Sequence, residues 1–81
     1  MKPKRLKIQV KEIGERGVVG YYWSDGIIVI DPRQTKRDFL DTAIHESLHH
    51  TFPKAQERTV SKAAGVIADV LWRLGYRRMA H

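Results

Sequence analysis

The sequence contains no cysteine. No disulfide can brace it, and the absence fits a reducing compartment. At 81 residues the chain has room for one small core, with an unfavourable ratio of surface to volume. With disulfides excluded, a bound metal ion is the staple still open to it, because an ion ties distant groups together and binds mainly the folded form. Long apolar runs are also missing. Nothing approaches the ~20 residues of a transmembrane helix, and no apolar stretch of signal length follows the charged opening MKPKRLKIQVKEIGERG. The reading is a soluble, cytoplasmic protein with no membrane partner. Repeats, low-complexity segments and linkers are lacking too, so residues 1–81 read as one domain whose residues 1–5 form a flexible basic tail. Acidic residues are in the minority, nine against fifteen lysines and arginines, for a net charge of +6. That excess raises the odds of an acidic partner such as nucleic acid. No nucleic-acid fingerprint accompanies it, and a solvated surface on a small basic protein accounts for it as well.

The local patterns that are present alternate between two periods. Leu6-Lys7-Ile8-Gln9-Val10 alternates apolar with polar, the period of a half-buried strand. Gly14-Glu15-Arg16-Gly17 supplies turn residues, and Val18 to Trp23 is β-branched and aromatic, as strands prefer. Ser24-Asp25-Gly26 signals a tight turn. Ile27-Ile28-Val29-Ile30 is continuously apolar, so it reads as a strand covered on both faces and paired in a hairpin with the one before it. Thr35, with Asp38 three residues on, resembles a capping box and opens a helix from about Lys36 to His50, which Pro53 stops. A second helix runs from Gln56 or nearby to about Leu74, before Gly75. The expected class is α+β: a small three-stranded antiparallel sheet followed by two helices.

On the first helix, Leu40, Ile44 and Leu48 make an apolar stripe, the natural core face. His45 and His49 stand at i and i+4, so they share another face one turn apart. That spacing lets two imidazoles reach one tetrahedral Zn2+ ion. Glu46 between them completes HExxH, in which the glutamate is not a ligand but takes a proton from water. A third protein ligand is then required. Glu57 is the best candidate, because it opens the second helix on the flank of the stripe formed by Val60, Ala64, Ile67, Leu71 and Leu74. The competing role for Glu57 is a charge interacting with its own helix dipole. His50 is rotated off the ligand face and suits an outer or surface position. Asp41, one turn before His45, is placed to hydrogen-bond a ligand ring, although a solvated aspartate fits equally well. His81 is terminal, and Asp69 lies on the wet face with Arg58, Lys62 and Arg73.

The run His45-Glu46-Ser47-Leu48-His49-His50, then Phe52-Pro53, Glu57, Val60 and the ending Leu71-Trp72-Arg73-Leu74-Gly75-Tyr76-Arg77, resembles the small zincin-type metallopeptidase-like proteins of bacteriophages and prophages. The lead-in from Trp23 to Pro32 is also similar, so the likeness spans about residues 20 to 77. It implies a minimal zincin-like domain acting as a zinc metallopeptidase on a peptide or protein substrate, in a host cytoplasm if the chain is of phage origin. His45, His49 and Glu57 would be ligands and Glu46 the general base. By the same likeness, Ile27 to Ile30 or the neighbouring strand would pair with an extended substrate. An oxyanion-stabilising group would come from Tyr21, Tyr22, Tyr76, Arg77 or His50. The metzincin pattern HExxHxxGxxH is absent, and Glu57 follows His49 more closely than the glutamate of larger gluzincins follows its histidine. So small a chain also has little room for a deep cleft. Two other classes therefore stand beside the enzyme: a non-catalytic zinc-stabilised binding module, for nucleic acid given the charge, and a basic interaction protein without metal.

Overall fold

A computed structural model describes residues 5–79. The expected basic tail falls largely on residues 1–4, and His81 is terminal; both lie outside the described residues. The elements are β1 (Lys7–Val10), β2 (Gly20–Trp23), β3 (Ile27–Ile30), α1 (Lys36–Thr51) and α2 (Glu57–Arg73). The α+β class therefore stands, in the expected order.

The sheet is mixed, not antiparallel as expected. Its order is β1-β3-β2, with β3 antiparallel to β2 and parallel to β1. The reason lies in β3. Its Ile28, Val29 and Ile30 are 1–3% exposed, and so apolar a strand is best placed at the centre with both edges paired. Val10 and Gly20 both stand opposite Ile30, so residues 11–19 cross over the end of β3 from one sheet edge to the other. Ile13 is the buried anchor of that crossing. Its N–H donates to Asp31 Oδ2 at 2.9 Å. Arg33 closes the latch, donating through Nη2 to Asp31 Oδ2 at 2.7 Å and to the Ile13 carbonyl at 2.9 Å. The β2–β3 hairpin forms as expected. Gly26 N–H donates to the Trp23 carbonyl at 2.9 Å, and Gly26 takes a φ of +94°, the left-handed residue of a three-residue hairpin loop.

Both helices begin and end close to where the sequence places them. Thr35 Oγ1 accepts from the Asp38 N–H at 3.1 Å, and Phe52 ends α1 just ahead of Pro53. α1 packs on β2 and β3, and α2 packs on α1 alone among the described elements. Two expectations about packing change. The most buried residues of α1 are Thr42 and Glu46, while Leu40, Ile44 and Leu48 are only half-buried. β1, expected to be half-buried, is exposed along its whole length, because no helix lies beneath it. Among the described residues, no helix is long and apolar enough to cross a membrane.

Gly20 sets how closely α1 approaches the sheet. A Cβ there would fall 2.5 Å from Thr42 Cγ2, 3.2 Å from the Val29 carbonyl and 3.6 Å from Glu46 Cγ. Only a residue without a side chain lets Thr42 and Glu46 press so close to β2.

Candidate metal centre

His45 and His49 come from one face of α1, and their Nε2 atoms are 3.1 Å apart. Phe52 and the turn through Pro53 reverse the chain, so α2 starts beside the end of α1. Glu57, the first residue of α2, then reaches back across the joint. Its Oε1 lies 2.7 Å from His45 Nε2 and its Oε2 lies 2.8 Å from His49 Nε2. The side chain is 66% exposed, yet both oxygens are turned toward the imidazoles. Glu57 also approaches Ser61 Oγ at 3.5 Å within its own helix.

The donor set suits a tetrahedral zinc ion. Arms of 2.0–2.1 Å place the donors of such a site about 3.3 Å apart, close to the 3.1 Å between the imidazole nitrogens. One donor atom from each of His45, His49 and Glu57 lies within 4.8 Å of the others, so a small rearrangement brings them onto one ion. Two imidazole nitrogens and a carboxylate oxygen are also the composition of many catalytic zinc sites. Tautomer chemistry permits both uses. A ring protonated on Nε2 donates to Glu57, and a ring protonated on Nδ1 turns an Nε2 lone pair into the same space.

Glu46 is buried, 8% exposed, beside His45. Burial pushes its carboxyl above the ordinary range; the His45 and His49 imidazoles pull it back, and the Glu57 charge adds to the rise. A carboxylate with raised proton affinity is suited to holding a proton between two reacting groups. It lines a cleft of about 510 Å3, with Gly20, Tyr21 and Tyr22 of β2 on one side and the His–His–Glu cluster on the other.

Tyr22, which lines this cleft, forms a second pair with His50. The Tyr22 hydroxyl lies 3.0 Å from His50 Nδ1, and the rings meet edge to face. Both were among the candidate oxyanion groups, but nothing local in the sequence joins positions 22 and 50. The role of Gly20 was not foreseen either. Its only signal is a glycine inside the β-branched and aromatic run of residues 18–23.

The remaining candidates lie elsewhere. Tyr76 is exposed beyond the far end of α2, about 25 Å along that helix from Glu57 at 1.5 Å per residue. Arg77 stacks on the Trp72 ring at 3.5 Å, at the same remote end. Asp41 lines a separate cavity of about 780 Å3 between the 13–19 segment and the start of α1. That larger space holds no part of the His–His–Glu cluster. No hydrogen bond joins Asp41 to His45 among the described residues.

Comparison with protein-family models, with curated proteins and with solved structures finds no match to the chain in any of the three. Fold and site together define a small α+β domain with a His–His–Glu donor cluster.

Proposed function

We propose that the chain is a zinc-dependent peptidase. The observation that carries the reading is the convergence of His45 Nε2, His49 Nε2 and the Glu57 carboxylate from two helices, with a buried Glu46 beside them. His45, His49 and Glu57 would hold the ion. Zinc in such a site polarises a carbonyl and lowers the pKa of water toward neutrality. Glu46 accepts the proton of the attacking water and returns it to the leaving amine. The Tyr22 hydroxyl, oriented by His50, donates to the oxygen on which negative charge develops.

The substrate would lie along β2. β3 is paired on both edges, so strand addition falls to its neighbour. Asp31 N–H donates to the Val19 carbonyl; by alternation, Tyr21 and Trp23 bond β3 while Gly20 and Tyr22 turn their N–H and C=O outward. Those outward groups lie beside the cleft, where an extended peptide would bond to them.

The test is Glu46→Gln, with protein purified without an affinity tag. Zinc content is expected to be unchanged, while cleavage of a mixture of unstructured peptides, read by mass spectrometry, falls about 10²- to 10⁴-fold. Cleavage at the wild-type rate would remove the peptidase reading.

A second reading is a zinc staple without catalysis. It is favoured by the position of the cluster across the α1–α2 joint in a chain whose buried apolar residues are few. On that reading Glu46→Gln changes no activity, and zinc removal only lowers the melting temperature. A chain that neither carries zinc nor takes it up loses both readings.

A further inference from the structure

The opposite edge of the sheet, remote from the His–His–Glu cluster, carries a different arrangement. β1 is an edge strand with an exposed apolar face: Ile8 is 65% and Val10 44% exposed. These two side chains border a groove of about 250 Å3 that also includes Ile28, Ile30, Phe39 and Arg78. The backbone of the same two residues is turned outward. Lys7 N–H donates to the Gly26 carbonyl at 2.8 Å and Lys11 N–H to the Ile30 carbonyl at 3.1 Å. In a parallel ladder the alternate residues then face away, so Ile8 and Val10 present their N–H and C=O groups to the free edge.

The charged side chains of β1 and of Lys11 directly after it are all basic. Asp25 shares a small pocket with Arg5 and Lys7, and Glu12, the residue after Lys11, pairs with Arg33. Lys7 and Lys11 alternate with Ile8 and Val10 and so stand on the other face of the strand. Arg78 lies 4.5 Å from the Phe39 ring, at the groove. None of Lys7, Lys11 and Arg78 is in an ion pair among the described residues. In the antiparallel register that sets Ile8 opposite Val10, pairing of β1 with a second copy would bring Lys7 opposite Lys11, which guards that register against self-association. A partner strand bearing carboxylates meets no such penalty.

We propose that β1 is a docking edge for an extended polypeptide segment in which apolar and acidic residues alternate. The apolar residues of the segment lie opposite Ile8 and Val10 and extend the wall of the groove, while its carboxylates face Lys7 and Lys11 across the new strand pair. Main-chain bonds to Ile8 and Val10 supply the affinity, and the alternation sets the register. This edge is independent of the zinc reading.

The probe is a fluorescently labelled peptide alternating glutamate with valine, followed by anisotropy up to about 1 mM. Saturable binding is expected, about tenfold or more tighter than that of a scrambled peptide of the same composition or one with lysine in place of glutamate. Val10→Pro is the decisive variant. It deletes an outward N–H and leaves the Lys11–Ile30 bond of the β1–β3 ladder in place. It should weaken binding about tenfold, the worth of one net hydrogen bond. Ile8→Lys, at a residue already 65% exposed, should weaken it without unfolding the chain, and circular dichroism checks both variants. Equal affinity for the scrambled peptide, or binding unmoved by both variants, would overturn strand addition. So would the absence of binding, or a dimer in sedimentation that Ile8→Lys dissociates. Binding is expected to survive chelation; loss on removal of metal would move the peptide to the β2 cleft and overturn the assignment to β1.

Discussion

Two carboxylates in this molecule each gather several partners, and they do so in opposite ways. Asp31 is 4% exposed. Its oxygens accept from the Ile13 N–H, the Arg33 N–H and the Arg33 guanidinium, every donor near it being spent. Glu57 is 66% exposed, and its oxygens face two imidazoles that can donate protons or turn lone pairs toward an ion. A saturated carboxylate with fixed donors is a structural tie. A carboxylate that shares its space with groups able to exchange a proton for a metal has the chemistry of the binding device proposed above. The number of partners alone does not separate the two; the freedom of those partners to change role does.

The strongest test of that contrast is a pair of substitutions. Glu57→Ala would remove one of the three proposed ligands, so zinc affinity should fall further than the roughly 10- to 100-fold that loss of an outer hydrogen-bond partner costs. Competition with a chromogenic chelator measures it, and the melting temperature of the metal-free protein should stay close to wild type. Asp31→Ala should act the other way. It orphans the Ile13 N–H and the Arg33 guanidinium, so the melting temperature falls with or without zinc, while zinc affinity of the folded fraction holds. If Glu57→Ala destabilised the metal-free chain as much as Asp31→Ala, Glu57 would be another structural tie and the contrast would fail.

Acid sharpens the same comparison on the Asp31 side. The hydrogen bonds from Arg33 and from the Ile13 and Arg33 amides, with the nearby Arg33 charge, hold the Asp31 carboxyl well below its ordinary value of 3.8. The unfolded chain therefore binds a proton at higher pH than the folded one. The stabilisation is complete above the ordinary carboxylate range and is lost progressively as pH falls below it, toward the depressed folded value. Thermal melts of wild type and Asp31→Asn should thus differ most above about pH 5 and converge as the buffer is acidified below the ordinary carboxylate range. A gap that stays constant down to about pH 2 would detach the latch from the Asp31 charge.

What could be read from the chain beforehand follows the range of the interactions. Thr35 as a cap, Gly26 in the hairpin and Pro53 after α1 act over a few residues, and each appears where the sequence places it. The His45–His49 pair is equally local, since i, i+4 spacing on a helix decides which side chains meet. Glu57 needed only the helix wheel and a reversal of the chain. The parallel pairing of β1 was out of reach, because Ile13 and Asp31, 18 residues apart, anchor the crossing. Alternation in residues 6–10 identified the strand, but its exposure depends on where α1 lies, which no period within β1 encodes. The Tyr22–His50 contact spans 28 residues and has no local signature.

Gly20 lies between the sheet and the helix that carries His45 and His49, and its replacement should have an intermediate effect. In Gly20→Ala the new methyl meets Thr42 Cγ2 at 2.5 Å, so α1 must move off β2. The cost should be about 1–3 kcal/mol, and 1 kcal/mol in a domain of this size corresponds to about 4–8 °C in melting temperature. Thr42→Ser deletes the opposing methyl and keeps the hydroxyl that donates to Gln34 Oε1. The double variant should recover part of the loss. Recovery stays incomplete, because the Val29 carbonyl still lies 3.2 Å from the new carbon. Additive losses in the double variant would show that Thr42 is not what holds α1 to the strand.

Asp69 gives the smallest expected effect and a third point on the scale. Like Asp31 it has arginine partners, Arg37 at 3.4 Å and Arg73 at 3.5 Å. Unlike Asp31 it is about half exposed, and Arg73 is 76% exposed. Its contacts are long, and water competes for every one of them. Exposed pairs of this kind contribute about 0–1 kcal/mol, with the Asp-before-Arg order at i, i+4 favourable to the helix. Asp69→Asn should therefore lower the melting temperature by no more than a few degrees. The difference should fade in 1 M salt, where the screening length is about 3 Å. Zinc affinity should not change, since the pair lies toward the C-terminal end of α2 and Glu57 opens it. A loss as large as that of Asp31→Ala, persisting in high salt, would mean that arginine partners alone make a carboxylate structural. The distinction drawn from burial and donor saturation would then have to be abandoned.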